Sequence, residues 1–166
     1  MKYLRDIWQT RSPALWLALI RIATGWIFLH SGFGKITNPD FVPGMGKTLG
    51  YFMSQNPYPW MADLLRTVAV PNASFFGTLF AWGELLVGIS LILGILTPIG
   101  LLGAIAMNAT FYFAAGWTGP STATANQIMA LTEVVLLMGA AGKVLSVDQA
   151  LAGIYSKVLS WGQRKA

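Results

Sequence analysis

The chain has 166 residues, of which 55% are hydrophobic and 10% charged, with a formal net charge of +5 and no cysteine. The length predicts one domain, spanning 1–166, and the composition excludes water as its main solvent. Without a thiol the chain carries no disulfide, no Cys-ligated metal, no iron–sulfur cluster and no covalent haem, so any cofactor is noncovalent or held by a partner.

In chain order, the first apolar run covers 14–34 and lacks a small-residue cleavage pattern, which reads as a retained span. Further runs follow at 75–96, 99–115 and 125–141. Each is close to the ~20 residues that cross a hydrocarbon core. The expected fold is all-α, an integral membrane four-helix bundle with an outer loop at 35–74 and a cytoplasmic tail at 142–166. Pro71-Asn72 and Ser74 precede the second run, and Thr97-Pro98 reads as an N-cap with proline at N1. Runs two and three then form a tight helical hairpin. The third ends between Phe113 and Trp117, and Gly142 suits the C′ position of the fourth.

Lys2, Arg5 and Arg11 precede the first run, and Lys143, Lys157, Arg164 and Lys165 follow the last; only Lys35, Lys47 and Arg66 lie in the loop. This asymmetry predicts a multi-pass protein of the cell inner (plasma) membrane with both termini cytoplasmic. The basic charge then reads as a topology signal and as contact with anionic membrane lipid. No nucleic-acid partner is expected, because no basic and aromatic binding stripe is present. The tail at 157–165, with Trp161, reads as an interfacial segment.

The outer loop holds two amphipathic stretches. Phe41, Met45, Leu49 and Phe52 recur at helical spacing, and after Pro59 the residues Trp60, Leu64 and Val68 lie beside Met61 and Leu65. Both would lie along the outer face as a lid, either merely covering the bundle end or enclosing a site.

Within the spans, small residues flank one polar centre on each helix. Ala14, Ala18, Arg21, Gly25 and Gly32 share a face of the first, and Gly77, Ala81, Glu84 and Gly88 share a face of the second. Asn108 lies with Gly100, Ala104 and Ala115, and Glu133 with Asn126, Ala130 and Ala140. Small residues let membrane helices approach closely, so these faces are expected to pack. Counted from the cytoplasmic ends at ~1.5 Å per residue, the four centres differ in depth by roughly 8 Å and would form one polar layer. A charge at the bilayer centre costs about 2.5–3.5 kcal/mol, so Arg21 is expected to pair with one glutamate while the other stays neutral. Two readings of the layer stand side by side: polar glue that fixes helix register, or a proton-handling or ligand-binding site.

His30 is the sole histidine, one turn from Trp26. It cannot form a bis-His haem site or an H-x-x-x-H metal pair, and it reads either as a packing residue or as a quinone or anion contact. Lys35 either draws an anion to the outer mouth or anchors the helix at the interface.

The stretches Gly25-Trp26-Ile27-Phe28-Leu29-His30-Ser31-Gly32-Phe33-Gly34-Lys35 and Gly83-Glu84-Leu85-Leu86-Val87-Gly88, extending to Thr97, resemble the paired signature of the DoxX/DoxD family. Asn56-Pro57-Tyr58-Pro59-Trp60, Val70-Pro71-Asn72-Ala73 and Gly142-Lys143 fit it as well, so the resemblance covers about 14–152. It implies the membrane subunit of a thiosulfate:quinone oxidoreductase, with a quinone as electron acceptor, a small sulfur oxyanion as donor and a second, DoxA-type protein subunit. DoxX-type members are linked instead to redox and stress complexes. Arg21, His30, Lys35 and Glu84 match the family pattern, and the packing argument adds Asn108 and Glu133.

The combined expectation is a membrane subunit of a quinone-linked redox assembly. Arg21, Glu84 and Glu133 would handle charge and protons, with His30, Lys35, Asn108 and Trp26 binding substrate or quinone and no metal site. The alternatives are a non-catalytic scaffold or accessory subunit, and a small transporter; the absence of internal repeats and of matched broken helices argues against the transporter.

Overall fold

The computed structural model describes residues 13–152. The basic residues Lys2, Arg5 and Arg11 and the expected interfacial tail lie outside that range. The described residues are helical with no strand. The principal helices are α1 (Pro13–Thr37), α2 (Phe41–Ser54), α3 (Pro59–Leu64, continued by a π turn at Leu65–Ala69), α4 (Ala73–Leu93), α5 (Thr97–Ala115) and α6 (Pro120–Met138).

Three stretches are long and apolar enough to cross a membrane: Ala14–Thr37, Ala73–Leu93 and Thr97–Thr118. The expected fourth span differs. Its helix begins at Pro120, not at 125, and its first turns carry Ser121, Thr122, Thr124, Asn126 and Gln127, so α6 is less apolar than the other three. The chain is a multi-pass membrane protein.

α1 and α4 pack antiparallel at close range, along the two small-residue faces read from the sequence. Ala18, Arg21, Gly25 and Gly32 on one side, and Gly77, Ala81, Glu84 and Gly88 on the other, are all buried. A Cβ on Gly25 would lie 2.9 Å from the Ile92 amide nitrogen, and one on Gly88 would lie 2.6 Å from the Leu29 Cα. Only glycine lets the backbones meet this way.

α4 and α5 form the expected hairpin. Gly94 takes the left-handed conformation at φ +66° and Pro98 sits in the first turn of α5. The capping differs from expectation. Thr97 is already helical, and Asp148, from the far end of the chain, accepts hydrogen bonds from the Leu96 amide (2.8 Å) and the Thr97 amide (2.9 Å). The end of α6 also differs: the helix stops at Met138 and the left-handed residue is Ala140, at φ +51°, with Gly142 inside the short helical turn at Ala141–Lys143.

The lid helices dock as their apolar spacing requires. Met45 and Leu49 of α2 join Met61, Leu65 and Ala69 of the α3 segment and Ala114 of α5 in one buried cluster. Asn56, between the two lid helices, donates to the carbonyls of Phe113 and Ala114 at 3.1 Å each, which ties the lid to the end of α5. The main core is Phe28, Val87, Leu91, Leu101, Ala104, Leu136 and Ala141.

Candidate functional site

The register of α1 on α4 brings Lys35 to Glu84. Gly32 lies against the backbone of Ala81 and Leu85, and about one turn further along α1 the Lys35 ammonium pairs with Glu84 Oε2. Lys35 Nζ also donates to Ser31 Oγ at 3.0 Å, across one turn of its own helix. The ammonium lies 5.8 Å from the ring centre of Phe41 and 5.7 Å from that of Phe111, so α1, α2, α4 and α5 all reach it. Glu84 is 3% exposed and the Lys35 side chain 25%. A buried carboxylate is tolerated here because its counter-charge is supplied at contact distance.

Lys35 opens onto a cavity of about 600 Å³ enclosed by the lid, α4 and α5. Its walls include Leu49, Leu65, Phe80, Met107 and Phe111, and Lys35 is their one charged residue. The hydroxyls of Thr48 and Thr110 also line it, but each donates to a carbonyl of its own helix. Leu64, Val68 and Leu79 are lining residues that remain exposed, at 45%, 41% and 46%, so the cavity reaches the apolar side of the bundle. This is the volume and lining of a pocket for an apolar ligand with one polar anchor.

Arg21 stands elsewhere. The same register sets it beside the α4–α5 turn, and its guanidinium is spent on backbone: Nε donates to Leu91 O (2.9 Å), Nη1 to Ala141 O (2.7 Å) and Val144 O (3.3 Å), and Nη2 to Leu145 O (2.6 Å). The expected Arg21–glutamate pair is therefore replaced by an arginine clamp on the segment after α6, and the single polar layer resolves into separate groups. Asn108 and Glu133 do meet. Asn108 Nδ2 donates to Glu133 Oε1 at 2.6 Å in the buried contact of α5 with α6, while Glu133 Oε2, fully buried, has no partner among the described residues. His30 and Trp26 are exposed on the outer side of α1, their rings stacked at 6.5 Å, and neither lines the cavity.

Residues 16–165 match the family described as TQO small subunit DoxD. The chain belongs to the DoxD family. No solved structure matches it. In this DoxD chain the four residues that carried the family resemblance divide into three places: Lys35 with Glu84 at the cavity, Arg21 at the opposite end of α1, and His30 on the outer surface.

Ser31, Phe41, Phe111 and Asp148 were not read as site residues from the sequence. Ser31 had a usable signal, four positions before Lys35 on one helix face. Phe111 and Asp148 had none, since their partners are distant in sequence.

Asp148 carries a prediction of its own. Burial pushes its carboxyl up, but the hydrogen bonds from Thr97 and Leu96 and the charge of Arg21 outweigh this and hold it below the usual aspartate range. A depressed folded-state value stabilises the fold above the ordinary aspartate pKa, and that contribution is lost as pH falls through the folded value. Asp148→Ala should cost about 1 kcal/mol of stability, as for a lost N-cap, and so lower the thermal midpoint in detergent at neutral pH, and the gap from wild type should shrink in acid. An equal gap at every pH would show that the ionised carboxylate is not the stabilising group.

Proposed function

We propose that this chain is the membrane subunit of a quinone-linked redox assembly, in which electrons from a small sulfur oxyanion, thiosulfate in the concrete version, pass to a quinone held in the lid cavity. One observation carries the reading: an apolar cavity of about 600 Å³, bordered by the exposed side chains of Leu64, Val68 and Leu79, with a single charged anchor in Lys35. A quinone is an apolar body with carbonyl acceptors at its edge, and an ammonium held by Glu84 and Ser31 suits such an acceptor. The description of the family as a small subunit supports a second protein that contributes the donor site. α6, packed on α5 beside the three apolar spans, supports a four-helix crossing, and the excess of Lys and Arg outside the loop supports cytoplasmic termini. In this reading Lys35 and Glu84 serve the quinone, Asn108 and Glu133 form a buried polar contact behind it, Arg21 supports the fold, and Trp26 and His30 stand outside the quinone site.

A second reading, a non-catalytic scaffold, is favoured by Arg21, whose guanidinium donates to the backbone carbonyls of Leu91, Ala141, Val144 and Leu145. The two readings separate in one assay: thiosulfate-dependent reduction of a quinone analogue by the purified protein with its co-purifying partners. The redox reading expects activity that falls at least about tenfold in Lys35→Met and Glu84→Gln variants of wild-type thermal stability. An inert wild-type assembly would make the scaffold the better account.

A further inference from the structure

We propose that Lys35 is the proton donor to the quinone and that Glu84 with Ser31 positions it, an inference that rests on the cavity being the quinone site. Lys35 is the charged group on the wall, and every element packed around its ammonium is accounted for. Ser31 comes from its own helix, Phe41 from α2, Glu84 from α4 and Phe111 from α5; Glu84 is the one titratable residue among them. Two of the three ammonium protons point to Ser31 Oγ and Glu84 Oε2. The third is not engaged in a hydrogen bond to protein among the described residues, and the side chain is a quarter exposed at the cavity wall. The arrangement thus fixes the nitrogen with two bonds and leaves one proton for a ligand.

Reduction of a quinone to its quinol takes two electrons and two protons. The electrons come from the sulfur oxyanion oxidised in the assembly. At the quinone, an Nζ–H bond of Lys35 breaks as an O–H bond forms on the carbonyl oxygen that faces it, and the bonding pair stays on nitrogen. The neutral amine remains beside the Glu84 carboxylate; the O–H at the far carbonyl oxygen forms with a proton from solvent, and a second solvent proton restores the ammonium once the quinol leaves the cavity. Glu84 acts as a positioning residue through its contact with the ammonium. The rings of Phe41 and Phe111 limit how far the ammonium can swing.

Lysine and arginine separate binding from proton delivery, because a guanidinium keeps its charge and its donors but does not release a proton in proteins. Binding is read by quenching of tryptophan fluorescence with a quinone analogue, and turnover by thiosulfate-dependent reduction of the same analogue by the assembly. Lys35→Arg is expected to bind close to wild type and to lose about 10²-fold in kcat, the scale of a lost general acid. Lys35→Ala, with its vacated volume, should recover turnover when methylammonium is supplied, and not with guanidinium; this arm holds even if the arginine variant misfolds. Wild-type kcat in Lys35→Arg, or rescue by both cations alike, would overturn proton donation and leave Lys35 as a charge only. Absence of quinone binding by the wild-type protein would instead overturn the cavity assignment itself, and the inference with it.

Discussion

Arg21→Leu is expected to remove the fold before any chemistry can be measured. The substitution withdraws donors from the carbonyls of Leu91, Ala141, Val144 and Leu145, the first two in fully buried contacts. A buried acceptor left without its donor costs about 1–3 kcal/mol, so the loss should reach at least about 3 kcal/mol, a large share of the ~5–15 kcal/mol that holds a typical domain. Lysine should recover little of it. Its compact ammonium offers three donors from one point, whereas the arginine fork spans α4 and the segment after α6. The same segment carries two left-handed residues without glycine, Ala140 at φ +51° and Leu145 at φ +49°, conformations that persist only where surrounding bonds hold them. A thermal midpoint in detergent decides the matter. A folded Arg21→Leu protein of wild-type stability that fails to reduce quinone would return Arg21 to the chemistry and undo the division of roles drawn above.

The spans and their packing faces were legible in the sequence because one residue class encodes them. Gly25, Gly32, Ala81 and Gly88 repeat at helical spacing, and close approach in a membrane has few other solutions. The lid was legible for a similar reason, through Met45 and Leu49 on α2 and Met61 and Leu65 after Pro59. The single polar layer fails on depth. Counting residues inward from each helix end fixes no register between helices, and the packed register sets Arg21 opposite the end of α4, away from Glu84. The glycine faces themselves contained a better ruler: setting Gly25 against Gly88 and Ile92, and Gly32 against Ala81 and Leu85, puts Glu84 next to Lys35 and Arg21 next to the hairpin turn. The fourth helix starts five residues before the apolar run at 125–141 because Ser121, Thr122 and Thr124 extend it with polar turns that hydropathy does not mark. The Arg21 clamp was beyond reach, since its acceptors are carbonyls, which every residue has and no sequence pattern marks.

The second large effect concerns the surface that sets the Lys35–Glu84 pair. Gly88→Val should separate α1 from α4, because the new Cβ would fall 2.6 Å from the Leu29 Cα, and a helix backbone cannot swing aside as a flexible side chain can. Overpacking of this kind ordinarily costs about 1–3 kcal/mol, and a clash with backbone belongs at the upper end or beyond. The consequence is not confined to stability. Glu84 is one helical turn from Gly88, so any widening there draws its carboxylate from Lys35 and leaves a buried charge without its partner. The expected result is a lowered thermal midpoint together with loss of quinone binding. Gly34→Ala is the matched control: it lies in α1 one residue before Lys35, nothing comes within 4 Å of its added Cβ, and replacing a helical glycine should leave stability unchanged or raise it by up to about 1 kcal/mol. If both variants lower the midpoint equally, the loss does not come from the α1–α4 contact. If only Gly88→Val does, and quinone binding falls with it, the close approach of these two helices is what builds the site.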